Sequence, residues 1–167
     1  MKNKNVAFLA QGAMIAAVYV VLTLFINAFN LASGAIQVRI SEALTILPVF
    51  TPAAVPGLFI GCIFANILGG NLILDVVFGS LATLAGAIFT RKLRNSHPLL
   101  APVPPIIANT LVVPFVLKYA YGLPGSIPVF MLTVCIGEIL SCGVLGMILY
   151  YALKKNEKII FHRDQES

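Results

Sequence analysis

The chain has 167 residues, of which 59% are hydrophobic and only 10% are charged, and its mean hydropathy is +0.97. Soluble domains carry roughly 25% charged residues, so this composition excludes an ordinary water-soluble globule and indicates a membrane protein. A helix that crosses a hydrocarbon core needs about 20 apolar residues, so the chain holds at most about seven spans, arranged as one domain over residues 1–167. The sequence contains no GxxxxGK[ST] phosphate loop, so we do not expect it to hydrolyse a nucleotide itself.

The net charge is +5 at pH 7. A nucleic-acid interface would need the basic residues gathered on one face, but here they form short clusters at the ends of predicted helices, which is typical of membrane topology. The three cysteines are odd in number and lie within apolar runs. No disulfide framework is therefore predicted.

Apolar runs between helix-breaking residues predict six segments and an all-α integral membrane bundle of six transmembrane helices. In chain order they are residues 6–28, 40–50, 53–68, 72–90, 100–117 and 126–153. The second is too short to span alone unless residues 36–39 extend it, and Pro48, Pro52 and Pro56 make it and the third irregular. Residues 6–28, preceded by Lys2 and Lys4, can also be interpreted as a signal peptide, but their length favours a retained span.

The basic residues predict the orientation of this bundle. Cytoplasmic loops carry an excess of Lys and Arg, and with six spans both termini face the same side. Nine of the eleven cations fall on that side, the exceptions being Arg39 and Lys118. This predicts a multi-pass protein of the cell membrane with both termini inside and the basic loop 91–97 also inside. The loops predicted to face outward lie near residues 30–38, 69–71 and 118–125.

Three acidic residues fall within predicted membrane segments: Glu42, Asp75 and Glu138. An ionisable group at membrane depth costs about 2.5–3.5 kcal/mol and usually faces a bundle interior or a cavity. Glu42 and Asp75 lie near the outer ends of their segments, whereas Glu138 lies roughly 18 Å deep at 1.5 Å rise per residue. Three amides point to the same region: Asn66 and Asn71 flank the outer turn between the third and fourth segments, and Asn109 lies at about mid-depth on the fifth. Together these groups predict one polar chamber that is reachable from outside.

The residues alone leave three interpretations of this chamber open. Arg39 and Glu42 are three positions apart and can form an ion pair that only neutralises a costly charge. Carboxylates and amides can instead recognise a ligand rich in N–H donors, such as a guanine-like edge. The third interpretation is metal or proton coupling. The sequence has no HExxH or CxxC motif and no His within a span, so neither a transition-metal site nor an enzyme's nucleophile–base pair is predicted.

The inner half of the first segment carries small residues, among them Ala13 and Ala17 one helical turn apart. Patterns of this kind let two helix backbones approach closely. Such a surface serves either packing within the chain or docking of another membrane protein. Gly57, Gly61, Gly79, Ala82 and Gly86 are predicted to serve internal packing.

Four stretches together resemble the queuosine-precursor transporter family (QueT). They are QVRISEAL at 37–44, PGLFIGCIFAN at 56–66, DVVFGSLAT at 75–83, and Gly137-Glu138. The resemblance covers nearly the whole chain, and the combination is more specific than any one stretch. It implies a substrate-binding S component of an energy-coupling factor (ECF) transporter, with six membrane helices. Such a subunit captures a 7-deazaguanine outside and delivers it inward by toppling.

The resemblance also implies partners and site residues. The partners are a transmembrane coupling subunit, contacted through Ala13 and Ala17, and two ATPases that use the ATP, so this chain needs no cofactor. For the ligand, Glu138 is the first choice as an acceptor of the deazaguanine N–H groups because it lies deepest. The further predicted ligand contacts are Glu42, Asp75, Asn66, Asn71, Asn109 and Arg39. Candidates for stacking on the ligand are Phe64, Phe78, Tyr119 and Tyr121.

Two other functions compete with an ECF substrate-binding subunit. A stand-alone permease would use the three acids to relay a proton or sodium ion, and it would transport without ATPases. Many permeases are built from two structural repeats of inverted topology, and the six predicted spans show no such repeat, which argues mildly against a permease. A purely structural membrane subunit would show no saturable binding of a small molecule.

Overall fold

The computed structural model describes residues 2–28, 39–156 and 160, and every regular element in these ranges is helical. The elements are α1 (Lys2–Ala28), a 3₁₀ helix (Ile40–Val49), α2 (Ala54–Leu68), α3 (Ile73–Lys92), a short 3₁₀ turn (Pro98–Leu100), α4 (Val103–Tyr119), α5 (Ile127–Glu138), a π-helical segment (Ile139–Leu145) and α6 (Gly146–Lys154). The last three follow one another without a break and form one long rod. The predicted all-helical bundle is confirmed, and each of the six predicted segments coincides with a helix or a helical rod.

Some sequence-based predictions fall outside the described residues. They concern the loop at 30–38, with Gln37 and Val38 of the family-like stretch, and the basic residues Lys158 and Arg163 beyond α6.

Four helical stretches are long and apolar enough to cross a membrane: Lys4–Ala28, Ile73–Lys92, Pro98–Tyr119 and Ile127–Lys154. The 3₁₀ helix and α2 are shorter, with 10 and 15 residues. At about 2.0 and 1.5 Å rise per residue they extend for roughly 20 and 22 Å, less than the roughly 30 Å of a hydrocarbon core. The number of complete spans and the orientation of the bundle therefore stay predictions.

The outer surface of the bundle is apolar, as a lipid-facing surface must be. Large hydrophobic side chains are exposed on every long helix, for example Leu9 on α1, Ile73 on α3, Leu111 on α4 and Ile148 on α6. A water-soluble protein would bury most of such side chains. The surface and the long apolar helices identify the chain as a multi-pass membrane protein.

The 3₁₀ helix lies at the centre of the bundle. Its residues 41–48 are all buried, and it packs against α1, α2, α3, the π-helical segment and α6. Its last carbonyls would lack partners in an apolar setting, but the Arg91 guanidinium at the end of α3 donates to the carbonyls of Pro48 at 3.1 Å and Val49 at 3.2 Å. Because these carbonyls are hydrogen-bonded, the end of the 3₁₀ helix can lie inside the apolar bundle.

Small residues bring neighbouring helices into close contact. A Cβ atom built on Gly57 of α2 would lie 2.7 Å from the carbonyl oxygen of Gly12 on α1, and one on Gly61 would lie 3.0 Å from Ala16. Likewise, a Cβ on Gly86 of α3 would lie 2.8 Å from Pro105 of α4. The predicted packing role of Gly57, Gly61 and Gly86 is confirmed.

The two ends of the bundle differ in charge. One end, called here the basic end, holds Lys4 at the start of α1, Arg91, Lys92 and Arg94 at the end of α3, and Lys154 at the end of α6. The opposite end, called here the cavity end, holds the turn between α2 and α3 and the loop between α4 and α5. Both of these turns use a glycine with positive φ, Gly70 at 73° and Gly122 at 62°, a conformation that costs glycine little.

Candidate functional site

A polar cavity of about 200 Å³ lies at the cavity end, between α1, the start of the 3₁₀ helix, the α2–α3 turn and the end of α4. A single water molecule needs only about 10–15 Å³ of such space, so the cavity has room for a small molecule. Its polar lining consists of Tyr19, Thr23, Asn27, Arg39, Ser41, Asn66, Asn71, Asp75 and Tyr121. The apolar lining consists of Ile26, Val113, Leu117 and Leu123.

Asp75 is the acid that lines this cavity. It lies in the first turn of α3, where the helix dipole favours a negative charge, and only 5% of its surface is exposed. Its Oδ2 accepts a hydrogen bond from the Tyr121 hydroxyl at 3.1 Å. Its Oδ1 is buried and has no hydrogen-bond partner among the described residues. A buried carboxylate oxygen without a donor is costly, so this atom is a natural acceptor for a ligand N–H.

The two asparagines of the α2–α3 turn form one wall of the cavity. Nδ2 of Asn71 donates to Oδ1 of Asn66 at 2.9 Å, and the backbone N–H of Asn71 donates to the Asn66 carbonyl at 3.0 Å. Asn66 also lies near Asp75, because a Cβ on Gly79 would lie 3.1 Å from Asp75 Oδ1 and 3.5 Å from Asn66 Nδ2. The turn therefore places amide and carboxylate groups side by side.

Arg39 brings a positive charge to the same cavity. It precedes the 3₁₀ helix with an extended backbone, φ −104° and ψ 96°, and its backbone N–H donates to the Ser141 hydroxyl at 3.1 Å. Asp75 and Glu42 both lie near enough to Arg39 to attract its charge. The cavity thus offers both a cation and an anion to a ligand.

Glu42, Glu138 and Asn109 lie together outside the cavity lining, in a buried cluster with Cys142. Glu42 Oε1 accepts from the Tyr19 hydroxyl at 2.5 Å, and its Oε2 accepts from Nδ2 of Asn109 at 3.5 Å. The Cys142 thiol donates to Glu138 Oε2 at 3.1 Å. One oxygen of each carboxyl and the Cys142 sulfur all lie within 4.8 Å of one another. Tyr19 connects this cluster to the cavity, because its side chain also lines the cavity.

The structure thus divides the predicted site residues into two groups. Arg39, Asn66, Asn71 and Asp75 line the cavity, whereas Glu42, Asn109 and Glu138 form the neighbouring buried cluster. Of the aromatic candidates, Tyr121 lines the cavity. Phe78 and Tyr119 instead border an apolar groove between α3 and α4, and Phe64 is 53% exposed on α2.

Sequence reasoning missed the polar stripe of α1. Tyr19, Thr23 and Asn27 follow one another at intervals of four residues and all line the cavity. Residues four apart share one face of a helix, so this spacing in an otherwise apolar helix was the signal that could have found them.

Ala13 and Ala17 do not line the cavity and lie near the middle of α1. Both are exposed, whereas their neighbours Gly12 and Ala16 make the close contacts with α2. The small residues of α1 therefore divide into an internal contact and an outward strip.

A helical membrane bundle that encloses a charged cavity at one end belongs to the class of membrane proteins that bind or move small polar molecules. The family model described as QueT transporter matches residues 9–155, and the chain belongs to the QueT transporter family. This family consists of transporters rather than enzymes.

One curated relative is the queuosine precursor transporter QueT of Lactococcus lactis subsp. cremoris (strain MG1363). It is 33% identical over 84 residues, which is 50% of this chain and 49% of the relative. The match thus spans about half the length of that protein. No solved structure matches the chain.

Proposed function

We propose that the protein is the substrate-capture subunit of an ECF-type importer and that it binds a 7-deazaguanine precursor of queuosine in the cavity. The observation that carries this proposal is Oδ1 of Asp75 on the cavity wall, which is buried and has no partner in the described part of the chain. Membership of the QueT transporter family and the similarity to the queuosine precursor transporter of Lactococcus lactis support the class of substrate.

The cavity chemistry complements a guanine-like edge. Such an edge presents a ring N–H and an exocyclic amine side by side, and an ionised carboxylate accepts two donors at once. Asp75 supplies that carboxylate. The ligand carbonyl lies next to the ring N–H, and Arg39 offers a charged donor for it. The Asn66–Asn71 pair is then available to the pyrrole edge of the ligand.

Glu42, Asn109 and Glu138 serve in this proposal as the floor beneath the ligand. Their hydrogen bonds are directed at one another, at Tyr19 and at Cys142. The Tyr19 side chain lines the cavity and its hydroxyl bonds to Glu42. A substitution in the cluster is therefore expected to affect ligand binding through the position of the Tyr19 ring. Asp75 therefore replaces Glu138 as our first choice for the anchoring acceptor.

Transport in this proposal depends on partner proteins. The outward strip of Ala13 and Ala17 lets the backbone of another membrane helix approach α1 closely, and the strip is exposed rather than used within the chain. We assign it to the ECF coupling subunit. Two partner ATPases supply the energy, and the loaded subunit topples to release its ligand inside.

Calorimetry on the purified chain tests the binding proposal. Saturable binding of 7-cyano- or 7-aminomethyl-7-deazaguanine is expected, with weaker binding of 7-deazahypoxanthine, which lacks the exocyclic amine. Folate and thiamin serve as unrelated controls. Failure of both deazaguanines to bind the folded protein would reject the proposed substrate class.

Reconstitution separates the importer from a stand-alone permease. Proteoliposomes that contain only this chain should not accumulate the ligand, whereas co-reconstitution with a coupling subunit and two ATPases should give ATP-dependent uptake. Uptake by the chain alone that stops when the ion gradient is removed would instead establish the permease.

A further inference from the structure

The loop between α4 and α5 reaches across the cavity end and contacts the start of α3 through Tyr121. The backbone N–H of Leu72 donates to the Tyr121 hydroxyl oxygen at 3.3 Å, and the hydroxyl donates to Asp75 Oδ2 at 3.1 Å. The loop is itself held in place, because Nζ of Lys118 donates to the Gly125 carbonyl at 2.8 Å. Tyr121 is therefore a fixed donor rather than a freely rotating side chain.

The Tyr121 hydroxyl keeps its proton at neutral pH. Partial burial, and then the nearby negative charge of Asp75, raise the pKa of Tyr121 above its ordinary value. The hydroxyl consequently remains a donor to Asp75 at neutral pH.

The Asp75 carboxylate is held from one side only. Tyr121 occupies Oδ2, while Oδ1 is buried without a partner among the described residues. Rotation of an aspartate carboxylate about its last side-chain bond is broad and weakly restrained. A donor on Oδ2 is therefore the contact that sets the plane of the carboxylate and the direction of Oδ1.

Gly79 leaves space beside the unpartnered oxygen. A Cβ at this position would lie 3.1 Å from Oδ1, which is closer than ordinary van der Waals contact. Glycine at position 79 therefore leaves room between the α3 backbone and Oδ1, with Nδ2 of Asn66 the next nearest atom to that Cβ position, at 3.5 Å.

We propose that Tyr121 is a positioning residue that holds the Asp75 carboxylate in the plane of the ligand and so selects ligands with two adjacent N–H donors. The inference rests on the proposed function and adds the residue that sets its specificity. A ligand edge with two adjacent N–H donors bonds well only to a carboxylate that lies in the plane of that edge. A single N–H donor can be accepted by the carboxylate over a range of rotations. Loss of the Tyr121 hydroxyl therefore costs more affinity for a two-donor ligand than for a one-donor ligand.

Calorimetry with Tyr121→Phe, using 7-cyano-7-deazaguanine and 7-deazahypoxanthine as probes, tests this selectivity. We expect roughly a 10-fold loss of affinity for the amine-bearing probe, the effect of one charge-assisted hydrogen bond, and a smaller loss for the other, so that the affinity ratio falls. Tyr119→Phe is the matched control, because Tyr119 is 73% exposed and borders the groove outside the cavity. Equal losses for both probes, or no loss, would overturn the positioning role.

A double-mutant cycle keeps the test independent of folding effects. If Tyr121 acts through Asp75, then Tyr121→Phe should leave the affinity ratio unchanged in an Asp75→Asn background. A further fall in the ratio in that background would show that Tyr121 acts by another route. Melting temperatures identify any variant that fails to fold. If a Tyr121→Phe variant does not fold, the Asp75→Asn single variant must still show a lower ratio of the two probe affinities than the wild type. A wild-type protein that binds neither probe rejects the proposed function itself, and with it this inference.

Discussion

Tyr19 joins the cavity to the buried carboxyl cluster, because its side chain lines the cavity and its hydroxyl donates to Oε1 of Glu42 at 2.5 Å. Tyr19 is 2% exposed and Glu42 is fully buried. The pair thus connects the middle of α1 to the central 3₁₀ helix at the depth where a ligand would rest.

Removal of this bond should destabilise the bundle. Tyr19→Phe deletes a donor to a buried carboxyl, and a buried acceptor left without a partner costs about 1–3 kcal/mol. We expect a lower melting temperature for the detergent-solubilised protein. Tyr151→Phe, at a position 60% exposed on α6, should leave the melting temperature unchanged. A Tyr19→Phe variant as stable as the wild type would show that Glu42 does not depend on this donor.

Asp75→Asn and Glu138→Gln should differ in their effect on ligand binding. In Asp75→Asn an amide N–H₂ can face the ligand donors, and the lost charge-assisted contacts, worth about 1.5–3 kcal/mol, correspond to roughly 10- to 100-fold in affinity. Glu138 lies in the cluster with Cys142 rather than on the cavity wall, so its substitution should have the smaller effect. Calorimetry of both variants decides the ranking, and a larger loss in Glu138→Gln would restore the first choice made from sequence.

A bulky residue on the outward strip of α1 should uncouple binding from uptake. Ala13→Trp or Ala17→Trp adds an indole where a partner helix needs close approach, so ATP-dependent uptake should be lost while ligand affinity stays unchanged. Ile148→Trp on α6, another exposed apolar position, is the control and should transport normally. Normal uptake by both alanine variants, with the complex assembled, would contradict the docking assignment.

Gly57→Ala should loosen the contact between α1 and α2. The added Cβ would lie 2.7 Å from the Gly12 carbonyl oxygen and 3.2 Å from Cβ of Ile15. Overpacking of this kind costs about 1–3 kcal/mol, which exceeds the gain of up to about 1 kcal/mol from replacing glycine within a helix. The melting temperature should fall. Gly143→Ala, whose nearest atom would be 3.7 Å away, should not lower it.

Gly79→Ala should weaken ligand binding without loss of stability. Its Cβ would press on Asp75 Oδ1 at 3.1 Å, the atom proposed to accept the ligand N–H, while alanine favours the helical conformation of α3. Calorimetry should show a lower affinity at an unchanged or higher melting temperature. Full affinity in this variant would argue that the ligand does not approach Asp75 from the side of α3.

Sequence patterns located much of the site but not its arrangement. Rise per residue placed Glu42, Asp75 and Glu138 in one half of the bundle, and the structure does bring Glu42 and Glu138 together. Arg39, by contrast, lines the cavity, while Glu42 lies in the neighbouring buried cluster. A spacing of three aligns side chains on a 3₁₀ helix, but Arg39 precedes that helix with an extended backbone, so its side chain leaves in another direction and reaches the cavity.

The amino-acid sequence by itself determined the membrane class, the six helical segments, the charge difference between the ends and the family, because these depend on composition, run length and local motifs. The tertiary structure alone decided which carboxylate lines the cavity. Helices that are apolar both toward lipid and toward the bundle interior carry little periodicity to show which face meets which neighbour. Only the packing of α1, α3 and the α4–α5 loop places Asp75 on the cavity wall with an oxygen that has no partner among the described residues, while Glu138 lies in the buried cluster with Glu42 and Cys142.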